Sequence, residues 1–148
     1  MTAILIDASV ALKWVLDEDH SDAARALFDD AMRAERLILA PPIWLSETTN
    51  AIYQRQRRQL ISKEDADSAL TTLRVLPVDL ALPAGLHERA LDFARRFRLQ
   101  ATYDAEYLAA ASMTGAEFWT ADRKLYRALP RSLRWVHWIG DYTSRAES

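Results

Sequence analysis

Short apolar runs alternate with longer segments of helical periodicity along this chain, and this alternation constrains the fold more than any other feature. The apolar runs are predicted to be five strands, at 3–7, 37–40, 77–79, 118–120 and 135–138. The segments between them are predicted to be helices, at 9–16, 22–35, 43–58, 63–76, 83–97, 103–114 and 122–129. Strands that alternate with helices form a parallel sheet with helices on both faces. We therefore expect an α/β fold, a three-layer α/β/α sandwich with a mostly parallel five-stranded sheet.

The length of the chain indicates one domain over residues 1–148. Half of the residues are hydrophobic, and a chain of this size buries roughly 70% of its unfolded surface, so it needs no disulfide to fold. The absence of cysteine excludes disulfides, thiolate metal sites and cysteine nucleophiles. The polar segment 142–148 is expected to fray.

The beginning of the chain lacks the basic region and long apolar segment of a signal peptide. No run approaches the roughly 20 apolar residues of a membrane helix. We therefore expect a cytoplasmic protein. The formal net charge of −2 argues against a surface covered with nucleic-acid-binding charge, although a local basic rim around an acidic site remains compatible with it.

Four acidic residues lie where the predicted fold has its core. Asp7 ends the first predicted strand, Asp122 follows the fourth, and Glu47 and Asp104 lie on the apolar stripes of predicted helices. A charge that faces a core costs several kcal/mol unless something neutralises it. No lysine or arginine shares these stripes, so the pattern predicts a bound cation, and therefore a divalent-metal site.

The predicted fold brings these acids to one edge of the sheet. Asp7 and Asp122 follow the carboxyl ends of strands, and open parallel sheets bind ligands beyond those ends, where the strand order reverses. Glu47 and Asp104 lie in early turns of their helices, near the same edge. The pattern therefore predicts a single site rather than four separate features.

Each acid also has a simpler interpretation. Asp104 and Asp122 would each stabilise a helix N-terminus by about 0.3–1 kcal/mol through the helix dipole. Glu47 would extend to solvent, and Asp7 would cap the helix that starts near Ser9. These interpretations weaken together, because they require four independent explanations for one edge of one sheet.

The acids lie within four sequence fragments that share an order and a set of predicted elements. These are Ile4-Leu5-Ile6-Asp7-Ala8-Ser9-Val10, Ser46-Glu47-Thr48-Thr49-Asn50-Ala51, Tyr103-Asp104-Ala105-Glu106-Tyr107-Leu108 and Thr120-Ala121-Asp122-Arg123-Lys124-Leu125. Over nearly the whole chain, this pattern resembles the PIN-domain ribonucleases, and most closely the VapC-like toxins of bacterial toxin–antitoxin pairs. The resemblance implies the strand order 3-2-1-4-5, which places Asp7 beside Asp122.

The four acids are the expected catalytic and metal-ligating residues. Mg²⁺ and Mn²⁺ prefer carboxylate and water ligands, and one or two such ions would offset the clustered charge. We expect Asp7 and Asp104 to be the central ligands and Asp122 to complete the site, directly or through water. Glu47 would bind a second ion or accept the proton of the attacking water. The residues expected to orient the ligands or the phosphate are Ser9, Asn50 and Thr120.

The resemblance implies endonucleolytic hydrolysis of RNA that leaves a 5′-phosphate, whereas the residue pattern alone does not favour RNA over DNA. Contact with the RNA backbone needs positively charged residues near the acids. A run of basic residues can equally be a solvent-exposed face without a ligand. The candidates are Arg55, Arg57 and Arg58 beyond Glu47, and Arg123, Lys124 and Arg127 beyond Asp122. The resemblance also implies an antitoxin that covers the active site, and a homodimer for which helices 22–35 and 43–76 supply apolar surface.

Four alternatives were weighed against the toxin interpretation. An aspartyl-phosphate phosphatase needs Asp-x-Asp after the first strand, where this chain has Ser9. A phospho-acceptor module needs a paired acid near the first strand and a lysine after the last, and neither is evident. A PIN-like module that only binds RNA or a partner has no reason to keep a costly acidic cluster. A nuclease of RNA maturation stays open, and an antitoxin gene immediately upstream would distinguish it from a toxin.

Overall fold

The computed structural model, which describes residues 2–144, contains one five-stranded parallel sheet. Its strands are β1 Ile4–Ile6, β2 Ile38–Ala40, β3 Val78–Leu80, β4 Glu117–Thr120 and β5 Val136–Trp138. They lie in the order β3-β2-β1-β4-β5, and every neighbouring pair is parallel. The predicted fold class, the five strands and their order are therefore confirmed.

Seven α-helices connect the strands within the described part of the chain. They are α1 Ala8–Val15, α2 Ser21–Arg33, α3 Ile43–Arg57, α4 Lys63–Val75, α5 Leu86–Phe97, α6 Thr102–Thr114 and α7 Arg123–Ala128. A short 3-10 turn, Ile139–Asp141, follows β5. Helix α5 begins later than expected, because Gly85 adopts a left-handed φ of 85° immediately before it. Among residues 2–144, no helix combines the length and the apolar character that crossing a membrane requires.

The helices form two layers around the sheet, as predicted. Helix α6 packs on β1, β4 and α5, whereas α1 packs on the same two strands together with α2, α3 and α4. The alanines 109–111 of α6 have no exposed surface, because their small side chains let the helix lie close to the sheet and to α5. A smaller apolar cluster joins α1 to α3 and α4 and consists of Leu12, Leu16, Ile52, Ala66 and Ala69.

The segment after the 3-10 turn is attached to α2. The hydroxyls of Tyr142 and Ser144 donate to Oδ2 of Asp30 at 2.5 and 3.0 Å, and the Tyr142 ring packs edge-on against Trp119. Polar side chains in 142–144 thus have a partner on a neighbouring helix, and the fraying of 142–148 stays a prediction. Residues 145–148 of that segment lie outside the described residues.

The strand order creates a switch point between β1 and β4. The chain runs outward from β1 to β2 and β3, and then returns to β4 on the other side of β1. The register pairs Ile6 with Trp119, so the residues that follow β1 and β4 emerge side by side. Ligands of open parallel sheets bind in the crevice beyond such a switch point.

Candidate active site

Asp7 lies directly beyond β1 and caps helix α1. Its side chain is 6% exposed, and one carboxylate oxygen, Oδ1, accepts hydrogen bonds from Ser9 Oγ at 2.5 Å and from the Val10 N–H at 3.2 Å. The other oxygen, Oδ2, accepts from Thr120 Oγ1 at 2.5 Å. The simpler interpretation of Asp7 as a helix cap is therefore correct, and the same carboxylate lies in the switch-point crevice. The two interpretations are compatible at this position.

Two hydroxyls connect the end of β1 to the end of β4. Thr120 is fully buried, donates to Asp7 and accepts from the Asp122 N–H at 3.0 Å. Ser9 donates to Asp7 and accepts from the Ala121 N–H at 2.9 Å. The structure thus brings Ser9 and Thr120 into contact with Asp7, which is the position that the sequence led us to expect for them.

Asp122 is exposed and caps α7, with Oδ1 accepting from the Leu125 N–H at 3.1 Å. Within the described residues, its Oδ2 has no hydrogen-bond partner. Asp104 is half-buried in the first turn of α6. Both residues therefore occupy helix N-termini, as their simpler interpretation requires.

Glu47 receives a hydrogen bond from a residue that the sequence analysis did not single out. The hydroxyl of Tyr107, on α6, donates to Oε1 of Glu47, on α3, at 2.5 Å. Tyr107 is 1% exposed and lies three residues after Asp104, so the two side chains share one side of the helix. A tyrosine at this spacing from a core-facing acid, on an otherwise alanine-rich helix, was the signal that could have identified it.

The pKa values indicate that the four acids share one electrostatic field. Burial raises the pKa of Asp7 to about 6; the hydrogen bonds from Ser9, Thr120 and Val10 oppose this rise, and the charge of Asp104 adds to it. Burial likewise raises the pKa of Asp104 to about 6, and the charges of Asp122 and Glu47 raise it further.

Asp104 therefore interacts with each of the other three acids. Burial also raises the pKa of Tyr107, and its bond to Glu47 adds to the rise, so its hydroxyl keeps its proton. Asp104 thus lies within electrostatic range of the other three predicted acids.

The donor set fits a hard divalent cation that keeps part of its water shell. Mg²⁺ in proteins is commonly held by one or two carboxylates and several waters. Within residues 2–144, no three Asp, Glu, His or Cys side chains are arranged to ligate one ion. Hydroxyls and backbone N–H groups donate hydrogen bonds to carboxylate oxygens of Asp7, Glu47 and Asp122. A cation held here would therefore keep water among its ligands.

Asn50 is not brought to the acids. It is exposed and lines a surface groove together with Leu45, Thr49 and Tyr53, and within the described chain no hydrogen bond joins it to any of the four acids. The buried positions of α3 are Trp44, Thr48 and Ile52, at a spacing of four residues, which turns position 50 outward.

The basic candidates divide into two groups. Arg55 and Arg58 lie about two and three turns beyond Glu47, and Arg55 forms an ion pair with Glu18 at 2.6 Å. Arg123 and Lys124 follow Asp122 directly and are exposed, with the Arg123 guanidinium 5.0 Å from the ring centre of Trp138. The geometry favours Arg123 and Lys124 over Arg55 and Arg58 for contact with a ligand at the acids.

Comparisons with known proteins support this fold. A family model described as PIN domain matches residues 4–129. Among solved structures, PAE2754 from Pyrobaculum aerophilum is 19% identical with a TM-score of 0.67, over 94% of this chain and 85% of that one. VapC20 of Mycobacterium tuberculosis, described as a sarcin–ricin loop cleaving toxin, is 18% identical with a TM-score of 0.57, over 80% of this chain and 88% of that one. A search among curated proteins finds no match.

Proposed function

The chain belongs to the PIN domain family, and from this premise we propose that it is a divalent-metal-dependent endoribonuclease that acts as the toxin of a toxin–antitoxin pair. The observation that carries the proposal is that Asp7 and Asp122 lie beyond neighbouring strands at the switch point, where the charges of Asp122 and Glu47 raise the pKa of Asp104. PIN domains are generally nucleases, and a cluster of uncompensated carboxylates is the donor set that metal-assisted phosphodiester hydrolysis requires.

Asp7 and Asp104 are the proposed central ligands of Mg²⁺ or Mn²⁺. When bound, the metal lowers the pKa of a coordinated water and stabilises charge on the attacked phosphate. Ser9 and Thr120 hold the Asp7 carboxylate through both of its oxygens, so that its orientation is fixed before any ligand arrives. Deprotonation of both acids is a condition for binding, because their raised pKa values leave them partly protonated near pH 6.

Asp122 and Glu47 act at the margins of the site. Asp122 would complete the site directly or through water, while its Oδ1 stays at the α7 cap. Glu47 would bind a second ion or accept the proton of the attacking water through the oxygen that Tyr107 does not use. Arg123 and Lys124, next to Asp122, are the proposed phosphate contacts.

RNA as the substrate, and the toxin role, are supported by the fold shared with VapC20, whose description names it a sarcin–ricin loop cleaving toxin. We propose in addition an antitoxin segment that places a basic side chain among the acids, a homodimer and a cytoplasmic location. Exposed apolar side chains on α3, Leu45 and Tyr53, offer surface for a protein partner.

The test is cleavage of a structured RNA with Mg²⁺ or Mn²⁺, repeated with EDTA, with a DNA of the same sequence, and with Asp104→Asn. We expect cleavage that needs the metal, needs Asp104 and spares DNA. Cleavage that persists in EDTA, or in Asp104→Asn, overturns the proposal.

A PIN-like module that binds RNA or a partner without cutting is the second candidate. The observation that favours it is the lack of a preformed three-ligand metal group within residues 2–144. Binding of RNA without any cleavage in Mg²⁺ or Mn²⁺ would support this candidate. A nuclease of RNA maturation predicts the same chemistry as the toxin, and an antitoxin that inhibits cleavage distinguishes the toxin from it.

A further inference from the structure

We propose that Tyr107 is a positioning residue that fixes the carboxylate of Glu47 in the active site through its buried hydroxyl. The inference rests on the proposed metal-dependent function. Tyr107 is not among the four acids or the hydroxyl residues to which the proposed function gives a role.

The position of the Tyr107 hydroxyl is determined by packing. The ring is 1% exposed and stacks on Phe118, with ring centres 6.4 Å apart and planes at 21°. This stacking leaves the phenol oxygen little freedom, and its O–H donates to Oε1 of Glu47 at 2.5 Å. A buried phenol needs a hydrogen-bond acceptor, and here the acceptor comes from a helix 60 residues earlier in the chain.

Glu47 depends on this single restraint more than Asp7 depends on any one of its three. Asp7 is held by Ser9, Val10 and Thr120, and Asp122 by the N–H of Leu125. Glu47 is half-buried, and within the described residues Tyr107 provides its one hydrogen bond.

A glutamate also has one more rotatable bond than an aspartate, so fixing it removes more freedom. Repulsion from Asp104 favours rotation of Glu47 away from the site, toward solvent. The bond from Tyr107 opposes that rotation and leaves Oε2 available to an ion, so the inference takes Glu47 as an ion ligand rather than as the acceptor of the water proton.

The experiment is a double-mutant cycle on the full chain. Its variants are Tyr107→Phe, Glu47→Gln and the double variant, with Tyr103→Phe as the matched control. Tyr103 lies on the same helix next to Asp104, is 55% exposed and has no hydrogen bond within the described residues, so its hydroxyl is dispensable here. The readouts are the Kd for Mn²⁺ by calorimetric titration, kcat and KM on an RNA substrate, and the melting temperature.

We expect Tyr107→Phe to weaken Mn²⁺ binding about tenfold, as loss of a partner that orients a metal ligand typically does. KM for RNA should stay unchanged, because the buried ring does not reach the substrate. In the Glu47→Gln background the same change should have almost no effect on Mn²⁺ binding, since the two residues act as a unit. Tyr103→Phe should match the wild type.

Equal losses in the two backgrounds, or no loss in the wild-type background, overturn the inference. A lower melting temperature with unchanged Mn²⁺ binding also overturns it, because it assigns Tyr107 a structural role alone. The proposed ribonuclease fails separately, if the wild type binds Mn²⁺ but cuts no RNA, and the Mn²⁺ cycle can still be measured in that case. A wild type that does not bind Mn²⁺ overturns both.

Discussion

The two edges of the sheet place carboxylates in opposite electrostatic environments. At the amino edge, Glu117 of β4 accepts a hydrogen bond from Arg36 at 2.9 Å. Burial raises the pKa of Glu117, but hydrogen bonds and nearby positive charge, chiefly those of Arg36, outweigh it, so the pKa lies below its ordinary value. At the carboxyl edge, burial raises the pKa of Asp7 to about 6, and only hydroxyls and an N–H oppose the rise.

The difference separates a structural carboxylate from one that we propose binds a metal ion. The chain supplies its own cation at the amino edge, where Arg36 also donates to the Thr2 carbonyl at 2.6 Å and so ties the loop before β2 to the start of the chain. At the carboxyl edge the acids have neutral partners and one another. We expect an edge built in this way to gain stability when a cation arrives from solution.

The strongest test neutralises one acid at each edge. We expect Asp104→Asn to reduce RNA cleavage at least about 100-fold, because it removes a central ligand from the reacting groups. Glu117→Gln should cleave RNA like the wild type, since the Glu117 carboxylate pairs with Arg36 and lies at the other edge of the sheet. Single-turnover cleavage at saturating Mg²⁺ measures both. A comparable loss in Glu117→Gln would erase the distinction between the edges.

The second test uses pH on the metal-free protein. The folded pKa of Asp7, about 6, exceeds the ordinary 3.8, so the folded state binds this proton more tightly and the wild type loses stability as pH rises from about 4 through 6. The shift corresponds to at most about 3 kcal/mol. Asn at position 7 does not titrate and still caps the helix well. The free energy of unfolding of Asp7→Asn should therefore rise relative to that of the wild type between pH 4 and pH 7, by at most about 3 kcal/mol.

Glu117→Gln should show the opposite trend. Because the pKa of Glu117 is lowered by folding, its stabilising contribution is present above the ordinary value of 4.5 and is lost on acidification. Urea unfolding of the wild type and both variants between pH 4 and pH 8, in EDTA, measures the two trends. A marked drop in the stability of Asp7→Asn at pH 7 contradicts the assignment of the carboxyl edge.

The third test adds the cation. Mg²⁺ or Mn²⁺ should raise the melting temperature of the wild type, with about 2.7 kcal/mol of added stability at one hundred times the Kd. The melting temperature of the double variant Asp7→Asn/Asp104→Asn should not rise with the metal, whereas that of Glu117→Gln should rise as much as that of the wild type. The rise should shrink below pH 6, since Asp7 and Asp104 then hold protons that the metal must displace. Equal rises in the wild type and the double variant place the ion elsewhere.

The smallest effect concerns the basic residues around the acids. We expect Arg123→Ala/Lys124→Ala to raise KM for RNA and to make that KM less dependent on salt, because fewer counterions are released when RNA binds. Arg55→Ala should instead lower stability and leave KM alone, because Arg55 is bound to Glu18. RNA cleavage at several salt concentrations, with melting curves, separates the two. A larger KM effect for Arg55→Ala reverses the assignment.

The sequence predicted those parts of the fold and site that follow from local patterns. The run Ile4–Ile6 is fully buried, which a short apolar segment before an acid indicates directly. The positions of Asp7 and Asp122 follow from strand ends, and the parallel order then places them at one edge. Residues whose surroundings are set by the strand pattern were therefore the most predictable.

The contacts that the sequence did not predict join distant elements. A tyrosine on an alanine-rich helix is typical of a core position, and the partner of Tyr107 lies on α3 in the other layer. Asn50 was expected inward because it lies one turn beyond Glu47, but the four-residue spacing of the buried side of α3 turns it outward. The attachment of Tyr142 to Asp30 likewise depends on a helix that is far away in the chain.

Asp7 both caps α1 and, as we propose, binds the metal, so few other residues could replace it. Serine, threonine or asparagine at position 7 would still cap α1 but would remove the negative charge. Glutamate would keep the charge, but its longer side chain is not among those that cap helices well. A lineage that lost the nuclease activity could drift to asparagine without unfolding, so the residue at this one position would record whether selection for cleavage had persisted.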